Sequence, residues 1–146
     1  MQIATKPDAT THEVPKRAGP SLPVYEKYGE AAVAGFQAVP DLLLKNQGKL
    51  GLTPTDMVVL LNILMHWWYP EQKPFPRSTT IAQRIGVTAR TVQRSISNLE
   101  ANGLLVRETS ADGRVFLDPT PMVAMLEKLA PSDTDYLVRK GRKNTA

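Results

Sequence analysis

No cysteine occurs among the 146 residues. This excludes disulfides, thiolate zinc sites and cysteine nucleophiles together, and is compatible with a reducing compartment. Histidine is nearly absent as well: His12 and His66 stand far apart, and without cysteine they make no metal site. No apolar run reaches about 18 residues, and the N-terminus lacks the basic-then-apolar order of a secretory signal. A soluble cytoplasmic protein is expected. The acids Glu100, Glu108, Asp112 and Asp118 are scattered over expected helix, strand and turn, with no nucleophile, phosphate loop or base beside them. We therefore expect no enzyme: no catalytic residue, no metal, no cofactor and no small-molecule substrate.

What is present suits a small packed protein. Hydrophobic residues make up 42% of the chain and charged ones 22%, enough apolar surface for one core at this length but not for two. The net charge of +4 is unevenly spread. Residues 1–35 hold four Lys/Arg and four Asp/Glu, residues 36–130 ten and eight, and residues 131–146 four and two. From Arg77 to Arg107 there are five arginines against the single acid Glu100, a local +4 that suits an anionic partner. A merely solvated arginine face would have the same composition.

Residues 1–24, rich in Thr, Pro and charge without apolar periodicity, read as a disordered arm. In "GFQAVPDLLLKNQGKLGL", Phe36–Val39 reads as a short strand and Pro40–Gln47 as a helix with proline in its first turn. "LTPTDMVVLLNILMHWW" is a stronger helix start: Thr53 caps, Pro54 suits the first position, and Asp56 lies three residues after the cap. Met57–Trp68 is apolar nearly all round, as in a central helix whose remaining surface meets a second subunit. Trp67 and Trp68 have the residue type that stacks on bases, but at the end of such a helix they read as core or dimer-contact residues. "YPEQKPFPRS" then breaks the helix.

In "STTIAQRIGVTARTVQRSISNLEANGLL", Ser78 is expected to cap a short helix with Ile81, Ala82 and Ile85 inward, and Gly86 to end it in a left-handed conformation. Thr88 caps the next helix, residues 88–101. At about 100° per residue, Val92, Ile96 and Leu99 form its inner stripe, opposite Arg90, Arg94, Ser97 and Ala101, with Thr91, Gln93 and Asn98 on the flanks. Asn102-Gly103 closes it, and two β-rich segments around Asp112-Gly113 make a hairpin wing, residues 104–117. "DPTPMVAMLEKLA" gives a last helix, capped by Asp118 or Thr120, with Met122, Val123, Leu126 and Leu129 inward. Residues 131–146, ending "RKGRKNTA", read as a mobile basic tail.

Buried helix, short helix, glycine turn, exposed helix and hairpin in that order describe a mainly α protein with a small β-hairpin, a winged helix-turn-helix spanning residues 34–130. The fold assigns roles by position. Arg90 and Arg94 suit guanine edges, Gln93 and Asn98 adenine edges, and Ser97 either. The Thr88-Ala89-Arg90 turn suits a phosphate, with the hydroxyl of Thr88 or Thr91 adding a donor. Arg77, Ser78, Thr79, Gln83, Arg84, Arg107 and Arg114 suit the DNA backbone.

Residues 34–130 also resemble a family of small proteobacterial helix-turn-helix proteins generally labelled transcriptional regulators. Their leading "GF..VP..LL..Q..LGL", helix ending in "WW" and "P.PS...IA.R.GV..RTVQR.I..LE..GLL.R" are met here by "FPRSTTIAQRIGVTARTVQRSISNLEANGLLVR". The winged-helix core is similar to the N-terminal domains of phage and plasmid replication-organiser proteins. This chain departs from the pattern by placing Arg77 between Pro76 and Ser78, and by a wing of modest charge. The resemblance implies a sequence-specific binder of double-stranded DNA acting as a transcriptional regulator, expected to be nucleoid-associated. A homodimer is expected because one recognition helix reads only a few base pairs and the Met57–Trp68 helix has more apolar surface than one small core hides. The alternatives are a replication-initiation accessory protein acting on origin or single-stranded DNA, and a winged-helix protein-interaction scaffold.

Overall fold

The computed structural model describes residues 22–144. The expected arm lies outside the described residues up to position 21. The chain divides into two units, the first ending at Ala38 and the second beginning at Val39. In the first, α1 (Pro23–Tyr28) and α2 (Glu30–Val33) are joined at Gly29, and the Tyr25 and Phe36 rings meet edge to face at 5.7 Å. The strand expected over Phe36–Val39 does not form. An isolated extended segment has no ladder partner there, and Pro40 brings no N–H to one.

The second unit begins with α3 (Asp41–Lys45) and the central α4 (Pro54–Leu64). The Thr53 hydroxyl accepts from the Asp56 N–H and the Asp56 carboxylate accepts from the Thr53 N–H, each at 3.1 Å. Because Pro54 brings no N–H, the helix start has three orphan donors, and two of them are thereby satisfied. α4 stops at Leu64, short of the tryptophans. The two then part company: Trp67 is half-buried against the core, with its Nε1 lacking a hydrogen-bond partner among the described residues, while Trp68 is 75% exposed. Trp68 is therefore no core residue.

α5 (Ser78–Ile85) and α6 (Ala89–Ala101) pack on α4, and Leu60, Ile63, Ile81, Val92, Leu99 and Leu104 are sealed from solvent between them. β1 (Val106–Thr109) and β2 (Val115–Asp118) pair antiparallel, Val106 opposite Asp118 and Thr109 opposite Val115. Leu117 turns inward, and α7 (Thr120–Leu129) closes the core with Met122 and Leu126. Pro119 is the residue before α7; Asp118 instead accepts from the N–H and hydroxyl of Thr120 at 3.0 and 2.8 Å.

The expected mobile tail contains a 3-10 turn (Ala130–Ser132) and a helix, α8 (Tyr136–Asn144). Lys45 of α3 pairs with Asp133 and Asp135 at 3.2 and 3.5 Å, and the Arg139 N–H donates to the Asp135 carbonyl. The helix thus starts from an anchored turn, which net charge alone does not reveal.

Candidate nucleic-acid interface

The turn between α5 and α6 is set by glycine. Gly86 adopts φ 72° and ψ 36°, and its N–H, like that of Val87, donates to the Ala82 carbonyl. A side chain at that positive φ would be strained. At the other end of α5 the structure corrects one expectation: Arg77 occupies the cap position, and Ser78 is the first helical residue, without a capping bond. The neighbouring proline fixes where the chain bends, so serine arrives one residue too late to cap.

α6 does begin at Thr88, whose side chain accepts from the Thr91 N–H at 3.2 Å. The two threonine hydroxyls lie 3.0 Å apart. One donates to the other, so only one hydroxyl proton of the pair is left for another partner. The N–H groups of Ala89 and Arg90 have no partner among the described residues, which leaves donors and partial positive charge at this helix end.

Along α6, Val92, Ser95, Ile96 and Leu99 are buried, whereas Arg90, Gln93, Arg94, Ser97 and Asn98 are exposed. The split follows the helical period: the apolar stripe anchors α6 to α4 and turns the opposite polar side outward. Thr79, Gln83, Arg77 and Arg84 of the α5 region are exposed as well, while Ser78, Ala89 and Thr91 are half-buried.

The arginines fall into two electrostatic groups. Arg77, Arg90 and Arg94 make no ion pair among the described residues. Arg107 is held by Glu100 at 2.7 Å, and Arg114 by Asp112 at 2.9 Å. Asp112 also accepts from the Ser110 hydroxyl and the Arg114 N–H, contacts that hold its carboxyl below the usual carboxylate range. Arg84 is intermediate: its guanidinium approaches His66 Nε2 at 3.2 Å and Asn62 Oδ1 at 3.5 Å. Burial, and then the charge of Arg84, hold the His66 imidazole below its ordinary value. Of these six arginines, those without an ion pair or polar side-chain partner among the described residues are therefore Arg77 and the two on the outer face of α6, and the wing is nearly neutralised.

One group of residues escaped sequence reasoning. The proline-rich segment before α5 clamps the wing: the Leu117 N–H donates to the Pro74 carbonyl at 2.8 Å, and Lys73 reaches both Glu108 oxygens at 2.8 Å. Phe75 packs edge to face on Phe116 at 5.4 Å, with the Arg114 guanidinium 5.8 Å over the Phe75 ring. The sequence signal was only a break with three prolines, since proline keeps its carbonyl acceptor while lacking the donor.

Residues 50–105, from the approach to α4 through the end of α6, match a family model described as a helix-turn-helix domain. None of the curated proteins compared with the chain matches it. Among solved structures, the chain is similar to the N-terminal domain of DnaD protein from Geobacillus kaustophilus HTA426, at 26% identity and a TM-score of 0.49, over 73% of this chain and 94% of that one. It is also similar to YusO protein from Bacillus subtilis, at 18% identity and a TM-score of 0.40, over 84% and 92% of the two chains. Among the described residues no helix is long and apolar enough to cross a membrane. The helix-turn-helix pair, followed by its antiparallel hairpin, makes this a mainly α winged helix-turn-helix, a fold that points to DNA binding.

Proposed function

We propose that this chain is a sequence-specific binder of double-stranded DNA, a transcriptional regulator of the proteobacterial type resembled in sequence, which acts as a homodimer on the nucleoid. One observation carries the reading: the face of α6 opposite its buried stripe presents Arg90, Gln93, Arg94, Ser97 and Asn98 together, exposed, with neither arginine in an ion pair among the described residues. A scaffold or a solvated surface has no use for two unpaired arginines one helical turn apart beside a helix N-terminus. In the major groove they meet guanine O6 and N7, Gln93 and Asn98 meet adenine, and Ser97 meets either base. The first-turn N–H groups of Ala89 and Arg90, with Thr88, Thr91, Ser78 and Thr79, receive phosphates; Arg77 and Gln83 extend that contact. Arg84, Arg107 and Arg114 bring charge already shared with His66 and Asn62, Glu100 and Asp112, so their backbone contacts are weaker. Selection of bound fragments from random duplex DNA tests the reading. A recurring sequence is expected, and equal recovery of all sequences overturns it. Preference for single strands in a competition with the same sequences would instead favour the replication-accessory role.

A further inference from the structure

Arg84, in the last turn of α5, lies against two half-buried side chains of the α4 region that stand four residues apart. Its Nη1 is 3.5 Å from Asn62 Oδ1 and 3.2 Å from His66 Nε2. What each partner can offer is fixed by its other bonds and by its chemistry. Asn62 Nδ2 donates to the Val58 carbonyl at 2.9 Å, which turns Oδ1 toward the guanidinium. A guanidinium has donors only and stays charged, so the Nε2 that meets it is a bare acceptor. His66 is therefore neutral, with its proton on Nδ1. Among the described residues no carboxylate pairs with Arg84 or His66, and the charge that acts on the imidazole is that of Arg84.

We infer that Asn62 and His66 are positioning residues for Arg84: while His66 is neutral they hold the guanidinium against α4, and a protonated His66 releases it to the DNA backbone. The inference rests on the backbone contact proposed for Arg84 above, and on no base contact. The release follows from the geometry. A protonated imidazole carries an N–H at both nitrogens, so Nε2 no longer accepts, and two positive charges would stand 3.2 Å apart. The contact that remains, to Asn62, is the longer one at 3.5 Å. Arg84 is exposed and no acid among the described residues pairs with it, so the guanidinium is free to turn outward. Burial, and then the charge of Arg84, hold the imidazole below its ordinary value of 6.5, which keeps the hold closed at neutral pH. A phosphate that draws the guanidinium away removes the second of these causes. Binding then takes up a proton and tightens as the pH falls.

Nitrogen NMR of the full chain, whose histidines are His12 and His66, tests the hold without DNA. His66 should show the Nδ1–H tautomer, and its titration should move up in Arg84→Ala. Fluorescence anisotropy on an unrelated duplex, from about pH 7.5 to about pH 5.5 with folding checked by circular dichroism, tests the release. Carboxylates and His12 also titrate, so two variants set the background. His66→Gln keeps an acceptor for Arg84 but does not titrate, and Arg84→Ala keeps the imidazole. Over this range the parent's affinity should rise by roughly three- to tenfold more than that of either variant, since one pKa unit relieved on binding is tenfold. Its salt dependence should steepen by up to about 0.9 of log–log slope, the share of one phosphate. A parent whose rise equals that of His66→Gln overturns the release, and so does a full rise in Arg84→Ala, which would put the imidazolium itself on phosphate. A His66 titration unmoved by Arg84→Ala overturns the hold. These results leave base recognition standing, because preference between duplexes is measured separately; absence of duplex binding at every pH would overturn the DNA reading and the release with it.

Discussion

The pairing of Arg114 with Asp112 has a consequence of unusual sign: removing an acid from the wing should strengthen DNA binding. Asp112→Asn keeps an oxygen for the Ser110 hydroxyl and the Arg114 N–H, so the hairpin turn survives. It removes the charge that now lies 2.9 Å from Arg114 Nε. Both side chains are more than half exposed, so solvent screens the ion pair and the unfolding midpoint should hardly move. Binding changes more, because a released arginine neutralises up to one further phosphate. With a log–log slope of about −0.9 per phosphate, one added contact means that a rise from about 50 to about 200 mM salt costs the variant some 3.5-fold more affinity than the parent. Fluorescence anisotropy on a selected and an unrelated duplex, at several salt concentrations, measures this. On the proposed reading, in which the wing meets only backbone, the gain should be equal on both duplexes. Arg114→Ala should flatten the slope, by less than a full unit because its charge is partly spent on Asp112. A folded Asp112→Asn variant with the parent's slope and affinities would mean that the wing does not touch DNA.

Leu99, fully buried in the stripe that anchors α6, should cost about 2–5 kcal/mol on replacement by alanine, read from urea unfolding. Asp56→Ala removes one half of the cap of α4 and should cost about 1 kcal/mol in the same assay. His66 titrates below its ordinary value of 6.5, so the folded state resists its protonation. Its contribution is therefore complete above pH 6.5 and is lost as the pH falls from there through the lower folded value. Thermal unfolding between about pH 7.5 and 5 should show this decline, and His66→Gln should flatten it.

The parts of the fold legible in the sequence were those governed by neighbours along the chain. Thr53, Pro54 and Asp56 announce the start of α4, Gly86 the turn, Thr88 the start of α6, and Val92, Ile96 and Leu99 its inner side, because caps and helical periods act within a few residues. Contacts between distant segments were not legible. Lys45 and Asp133 are 88 residues apart, and their pairing turns an expected tail into the anchored start of α8. Lys73 and Glu108, 35 apart, fix the wing to a segment that read only as a break. Arg107 and Arg114 looked like free cations because the sequence shows charge but not its partner: Glu100 is reached only once β1 folds back along α6, and Asp112 only once the hairpin turn has formed. Ser78 shows the limit even of local rules, since a shift of one residue turned the expected cap into a helical position.

The central claim, that the outer face of α6 reads base edges, is tested most directly by the ratio of affinities for a selected duplex and an unrelated one, in the parent and in Arg94→Ala. Arg94 is exposed and has no ion-pair partner among the described residues, so its removal should change stability by no more than about 0.5 kcal/mol. Losing a bidentate contact to guanine should cost about 1–3 kcal/mol on the selected duplex and much less on the unrelated one, reducing the ratio by about 5- to 150-fold. A folded Arg94→Ala protein with an unchanged ratio would contradict the account.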